Sequence, residues 1–91
     1  MKRPDDASSF AAKSRLYHVV NALGAALPRA REESIRELVD VGEGTVALEN
    51  LAGNLHEFDI PVPAELLAEL RALAAELNAR GPFGLLRSVP P

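Results

Sequence analysis

The chain has 91 residues, 47% of them apolar, a formal net charge of −3 and no cysteine. It is long enough for one small core and too apolar for disorder, and the absence of thiols excludes a disulfide framework, a thiolate metal site and a cysteine nucleophile. No apolar stretch approaches the roughly 20 residues of a membrane span, and the charged start Met1-Lys2-Arg3-Pro4-Asp5-Asp6 lacks the apolar segment of a secretory signal. The sequence therefore predicts a single soluble, cytoplasmic domain over residues 1–91.

In chain order, residues 1–7 read as a frayed terminus. Ser8 or Ser9 can cap a first helix, because a hydroxyl accepts from an orphan amide of the first turn. That helix is predicted to run to about Leu27, where Pro28 disfavours helical geometry. Leu16, Val19, Val20, Leu23 and Leu27 form its inner stripe, extended by Phe10 and Ala12. Gly24 weakens it by about 1 kcal/mol relative to alanine.

A second helix is predicted from Arg29 or Arg31 to Val41, with Ile35, Leu38 and Val39 inward. Glu32 and Glu33 suit the positive end of its dipole, and either can pair with Arg36. Gly42 and Gly44 stop it by allowing positive φ.

The third helix spans about Gly44 or Thr45 to Glu57 or Phe58. Leu48, Leu51, Leu55 and Phe58 recur at spacings of three and four and form one apolar stripe. Glu49, Asn50, Asn54 and Glu57 lie away from it and face water or a partner. Gly53 inside this helix marks either a tolerated weakness or, as favoured here, the close approach of a neighbouring backbone.

Pro61 and Pro63 fix two φ angles, and Pro63 opens a fourth helix to about Asn78. Leu66, Leu70, Leu73 and Leu77 form its stripe, widened by Leu67 and Ala74. Gly81 and Pro82 provide its stop. Residues 82–91 pack back as an irregular strap. No strand pattern competes, because Asp59-Ile60-Pro61-Val62 is short and interrupted by proline. The expectation is an all-α fold, a compact bundle or orthogonal array of four helices.

Little in the chain suggests catalysis or metal binding. His18 and His56 have no second ligand at helical spacing, so no metal site is expected. Gly42-Glu43-Gly44 lacks the lysine and preceding strand of a phosphate loop, no cofactor motif is present, and no serine has a base beside it in the sequence. The reading is a protein that is not an enzyme.

The charge is unevenly distributed. Residues 32–76 hold eleven acidic and two basic side chains, a local −9, while the flanks carry +6. An acidic middle repels phosphate backbones and argues against nucleic acid as a ligand. It would attract a basic protein, although on charge alone ordinary solvated helix faces remain the leading reading.

One segment carries a resemblance. Gly42-Glu43, Ala47-Leu48-Glu49-Asn50-Leu51 and Asn54-Leu55-His56-Glu57-Phe58-Asp59-Ile60-Pro61-Val62 resemble the core pattern of the MafI-type bacterial immunity proteins. The likeness covers about residues 35–77. His56 and Phe58 stand where that family tends to have tyrosine, and Val62-Pro63 where it tends to have isoleucine-serine. The resemblance implies a small cytoplasmic protein that binds and neutralises the C-terminal domain of one polymorphic toxin, often a nuclease. A basic nuclease site suits an acidic helical face. The expected partner-binding residues are Glu43, Glu49, Asn50, Asn54, Glu57 and Asp59, with Tyr17 and Phe83 as aromatic anchors if exposed. Glu49 and Glu57 also read as helix solvation, and Asp59 as a cap for the turn into Pro61.

A second reading is a helical adaptor or homo-oligomer with Leu67, Leu70 and Ala74 at a seam between copies. A homodimer is compatible with either reading.

Overall fold

Three of the four helices end in the same way, and these endings set the path of the chain. In the computed structural model, which describes the backbone of residues 4–89 and the side chains of residues 11–89, the helices are α1 (Pro4–Leu23), α2 (Arg29–Asp40), α3 (Gly44–Glu57) and α4 (Ala64–Leu77). Beyond α2, α3 and α4 the chain passes through a left-handed residue: Gly42 at φ 85°, Asp59 at φ 51° and Asn78 at φ 55°. At each, the next residue's N–H reaches back five positions: Glu43 to the Leu38 carbonyl (2.8 Å), Ile60 to Leu55 (2.9 Å) and Ala79 to Ala74 (2.9 Å). This paired closure satisfies carbonyls that the helix end would otherwise leave without donors. Glycine, aspartate and asparagine are the residues that tolerate this conformation best.

The core forms where the predicted stripes meet. Leu16, Val19, Val20, Ile35, Val39, Leu48, Leu51, Leu55, Leu70 and Leu73 are almost completely buried and belong to one cluster. Each such side chain contributes about 1.5–3 kcal/mol of transfer free energy. α1 packs against α2, α3 and α4, and α2 packs most extensively on α3. The Cα radius of gyration is 12.7 Å, close to the roughly 12 Å of a compact chain of this length. The all-α expectation holds: four helices account for most of the described chain. No helix among the described residues is long and apolar enough to cross a membrane.

Several boundaries differ from expectation. α1 begins at Pro4, so Ser8 and Ser9 lie inside it rather than capping it, and residues 4–7 are helical. Proline at the first helical position has no N–H to leave unpaired. Residues 1–3, the rest of the expected frayed segment, lie outside the described residues, as does the Phe10 side chain. α1 stops at Leu23, and Gly24–Ala26 form a 3-10 turn instead of continuing to Leu27. α2 pairs Arg36 with Glu32 at 3.0 Å, while Glu33 pairs with Arg29 at 3.1 Å. α4, by contrast, ends where expected, at Leu77 with Asn78 as its left-handed cap.

The tail packs back as expected and adds an element that the alternation argument dismissed. Phe83–Leu85 form a 3-10 turn that buries Phe83, and Leu86 is also buried. Ser88–Val89 (β2) then lie parallel to Val62–Pro63 (β1). The Val62 N–H donates to the Arg87 carbonyl at 2.8 Å. β1 ends after two residues because α4 begins at Ala64. Residues 90 and 91 of the strap lie outside the described residues.

Candidate functional site on helix α3

Four of the six expected contact residues come together on one surface. Glu49, Asn50, Asn54 and Glu57, with Gly53 and Arg31, line a shallow open hollow of about 400 Å³ between α3 and the start of α2. Residues 49, 50, 53, 54 and 57 repeat at one, three and four, which places them on adjoining rows of the same helix face. Glu43 and Asp59 fall outside the hollow. Glu43 is the exposed residue before α3, and its carbonyl accepts the Ala47 N–H. Asp59 is the left-handed residue beyond the end of α3, where its carboxylate pairs with Arg87 Nε at 3.0 Å.

Asn54 is not on the outer face as expected: it is only 7% exposed. Its Nδ2 donates to the Asn50 carbonyl at 2.7 Å, and its Oδ1 accepts from Arg31 Nη1 at 3.0 Å. Both halves of the amide are therefore bonded, as burial of a polar group requires. No buried side-chain nitrogen or oxygen among the described residues lacks a partner.

The other polar groups are only partly committed. Asn50, an exposed residue, donates from its Nδ2 to the Val46 carbonyl at 2.9 Å, which leaves its Oδ1 uncommitted. The Glu49 Oε2 accepts the Arg80 backbone N–H at 2.6 Å, which ties α3 to the segment after α4. Arg31 Nη2 approaches Glu57 Oε2 only to 3.8 Å, too far for a hydrogen bond. Two carboxylates against one guanidinium leave the hollow at −1.

The aromatic anchor is a different residue from those expected. Phe83 is buried under the strap, and Tyr17 is half-buried against the core. Phe58, placed on the inner stripe by its spacing, is instead 41% exposed. It follows the last residue of α3, where the chain turns through Asp59, and this turn carries the ring off the stripe. The Arg31 guanidinium carbon stands 5.7 Å from the centre of the Phe58 ring, within the range of a cation–π contact. Arg31 was missed by the sequence reading, which placed it only at the possible start of α2.

Gly53 does not mark a close backbone approach. A Cβ built there meets nothing within 4 Å. The glycine leaves an open floor in the hollow instead.

Two other features carry less chemistry. A more enclosed recess of about 250 Å³ lies between α1 and the α2–α3 turn, lined mainly by Ala12, Leu16, Val39, Gly44 and Leu77. Its charged group, Lys13, already donates to the Asp40 carbonyl at 3.2 Å. The seam proposed between copies is also occupied, because Leu67, Leu70 and Ala74 are buried in the chain's own core.

His18 and His56 are both exposed. Among the described residues no group of three or more His, Asp or Glu side chains is arranged to hold a metal ion. No family model, no curated protein and no solved structure matches the chain.

Proposed function

We propose that this chain is an immunity-type protein that binds and neutralises a cognate bacterial toxin domain, with the α3 face as its contact surface. The observation that carries the reading is the hollow itself. A rigid helix presents two carboxylates with unused oxygens, an amide oxygen and a neighbouring exposed aromatic ring. Such a surface combines an aromatic anchor with acidic groups, which suits a basic partner site such as that of a nuclease. The likeness of residues 42–62 to the MafI-type pattern points the same way. The protein acts in this reading by occupying or abutting the toxin's site in the cytoplasm, with no cofactor and no chemistry of its own.

The test is co-expression with the C-terminal domain of the secreted protein encoded beside it. Restored growth and a complex that survives purification support immunity. Toxicity without rescue refutes it.

A second reading, a homo-oligomeric adaptor, draws on a different surface. Val41 is 67% exposed and borders a shallow, largely apolar depression with Leu38 at the end of α2. Light scattering across concentrations separates the two readings: a monomer at all concentrations removes the oligomer.

A further inference from the structure

We propose that the hollow on α3 is a guanidinium-recognition site for an arginine of the partner, and that Arg31 is its resident placeholder. The inference rests on reading this face as the partner surface and names what that surface selects.

The chain already shows which group the hollow accepts. The Arg31 guanidinium bonds the amide oxygen of Asn54, a side chain more than nine-tenths buried, and covers the exposed Phe58 ring. An amide oxygen fixed by its own Nδ2 bond, a carboxylate and an aromatic face are complementary to a planar fork of N–H donors. A compact ammonium can use only part of that arrangement. Asn54 is held from behind by the Asn50 carbonyl, so its oxygen is presented in one orientation.

Arg31 fits this site incompletely. It reaches Asn54 from the rim, and its other nitrogen stops 3.8 Å short of the Glu57 carboxylate. Its side chain is 52% exposed, so it can swing out without disturbing the core. In the same hollow the Gly53 position is open, with nothing within 4 Å of a Cβ built there. An incoming guanidinium has room above Gly53 to bond Glu57 directly, with the Asn50 oxygen within the same hollow, and to take over the Phe58 ring face. Arg31 then keeps the buried amide satisfied in the free protein and is displaced when the partner docks. An internal competitor lowers apparent affinity by the fraction of molecules in which the site is free.

The chain has four asparagines and no glutamine, so its side-chain amide spectrum is simple enough to report on the hollow. The experiment titrates the full-length, nitrogen-15-labelled protein with N-acetyl-arginine amide and, separately, with N-acetyl-lysine amide. Saturable shifts of the Asn50 and Asn54 side-chain amides with the arginine probe alone are expected. Arg31→Ala should bind that probe about 5- to 10-fold more tightly, because the competitor is gone. Arg31→Gln, which can still donate to Asn54, serves if the alanine variant loses its helical circular dichroism. Gly53→Leu should fill the floor and abolish the shifts. Equal response to both probes, or unchanged affinity on removing Arg31, overturns the proposal. A selective arginine response without rescue in co-expression leaves the hollow standing and removes the immunity reading; rescue without any arginine response does the reverse.

Discussion

Gly44, the first residue of α3, faces Leu16 of α1 so closely that a Cβ at Gly44 would lie 2.8 Å from Leu16 Cδ1. The Leu16 side chain packs directly on the α3 backbone at this point, which fixes where α3 begins and therefore where its polar face points. Leu16 is only 2% exposed, and its Cδ1 can give way only into the recess that it lines with Gly44. Gly44→Ala is expected to destabilise the fold by about 1 kcal/mol, the lower end of the cost of overpacking, because that recess takes up part of the displacement. Thermal unfolding checks this. A variant as stable as the parent would show that the contact relaxes freely.

Gly53 is the opposite case. It lies inside a helix, has an open Cβ position and bears on the hollow rather than the core. Gly53→Ala should raise stability by about 0.5–1 kcal/mol through helix propensity, while narrowing the floor of the hollow. The expected pair of results is a higher melting temperature with weaker partner binding. Weaker binding without added stability would mean that the substitution disturbs α3 itself.

Arg15 joins α1 to α4. Its Nε bonds Glu69 at 2.6 Å and its Nη1 bonds both Glu76 oxygens at 2.8 Å. The bond to Glu69, then that to Glu76, raises the Arg15 pKa above its ordinary value, against a smaller opposing effect of burial. A raised folded-state pKa adds stability that is fully present below the unfolded pKa and is lost only as pH rises through the folded one. For arginine that window lies in strong alkali, so the contribution of Arg15 ionisation should stay constant from about pH 5 to 9. The side chains are 35%, 32% and 54% exposed, so solvent screening limits the effect. Arg15→Ala should cost about 0.5–1 kcal/mol, less at high salt. Denaturant melts at two salt concentrations measure it; a loss independent of salt would assign the effect to packing of the arginine stem.

The core was legible because periodicity and burial describe the same physics. Leu48, Leu51 and Leu55 repeat every three or four residues, and burying that stripe is what makes the helix persist. Leu67, Leu70, Leu73 and Ala74 follow the same rule, which also explains why they were not free to form a seam between copies. Asn54 shows where the rule fails. It stands seven residues after Ala47 and three after Leu51, on their side of the helix, but residue type had assigned it outward. Only a partner from another helix, Arg31, makes its burial tolerable, and no spacing argument connects residues 23 apart. Phe58 failed for a local reason. Its spacing holds only while the helix continues, and the left-handed turn at Asp59 ends it one residue too soon. The β1–β2 pair was hidden because its partners lie more than twenty residues apart and each is two residues long. Within the candidate site, the acidic and amide residues of α3 could be read from the sequence; the guanidinium and the ring beside them could not.

The most direct measurement is the affinity of the purified complex with the toxin domain for the parent chain and for a variant carrying both Glu49→Lys and Glu57→Lys. These positions reverse the charge of the hollow and spare Asp59, whose left-handed backbone and pairing with Arg87 give it a part in the turn. With the helical circular dichroism intact, the account expects affinity to fall by at least about 100-fold, or roughly 2.7 kcal/mol, since unpaired like charges at a buried contact cost several kcal/mol. An unchanged dissociation constant would contradict it and place the contact surface elsewhere on the molecule.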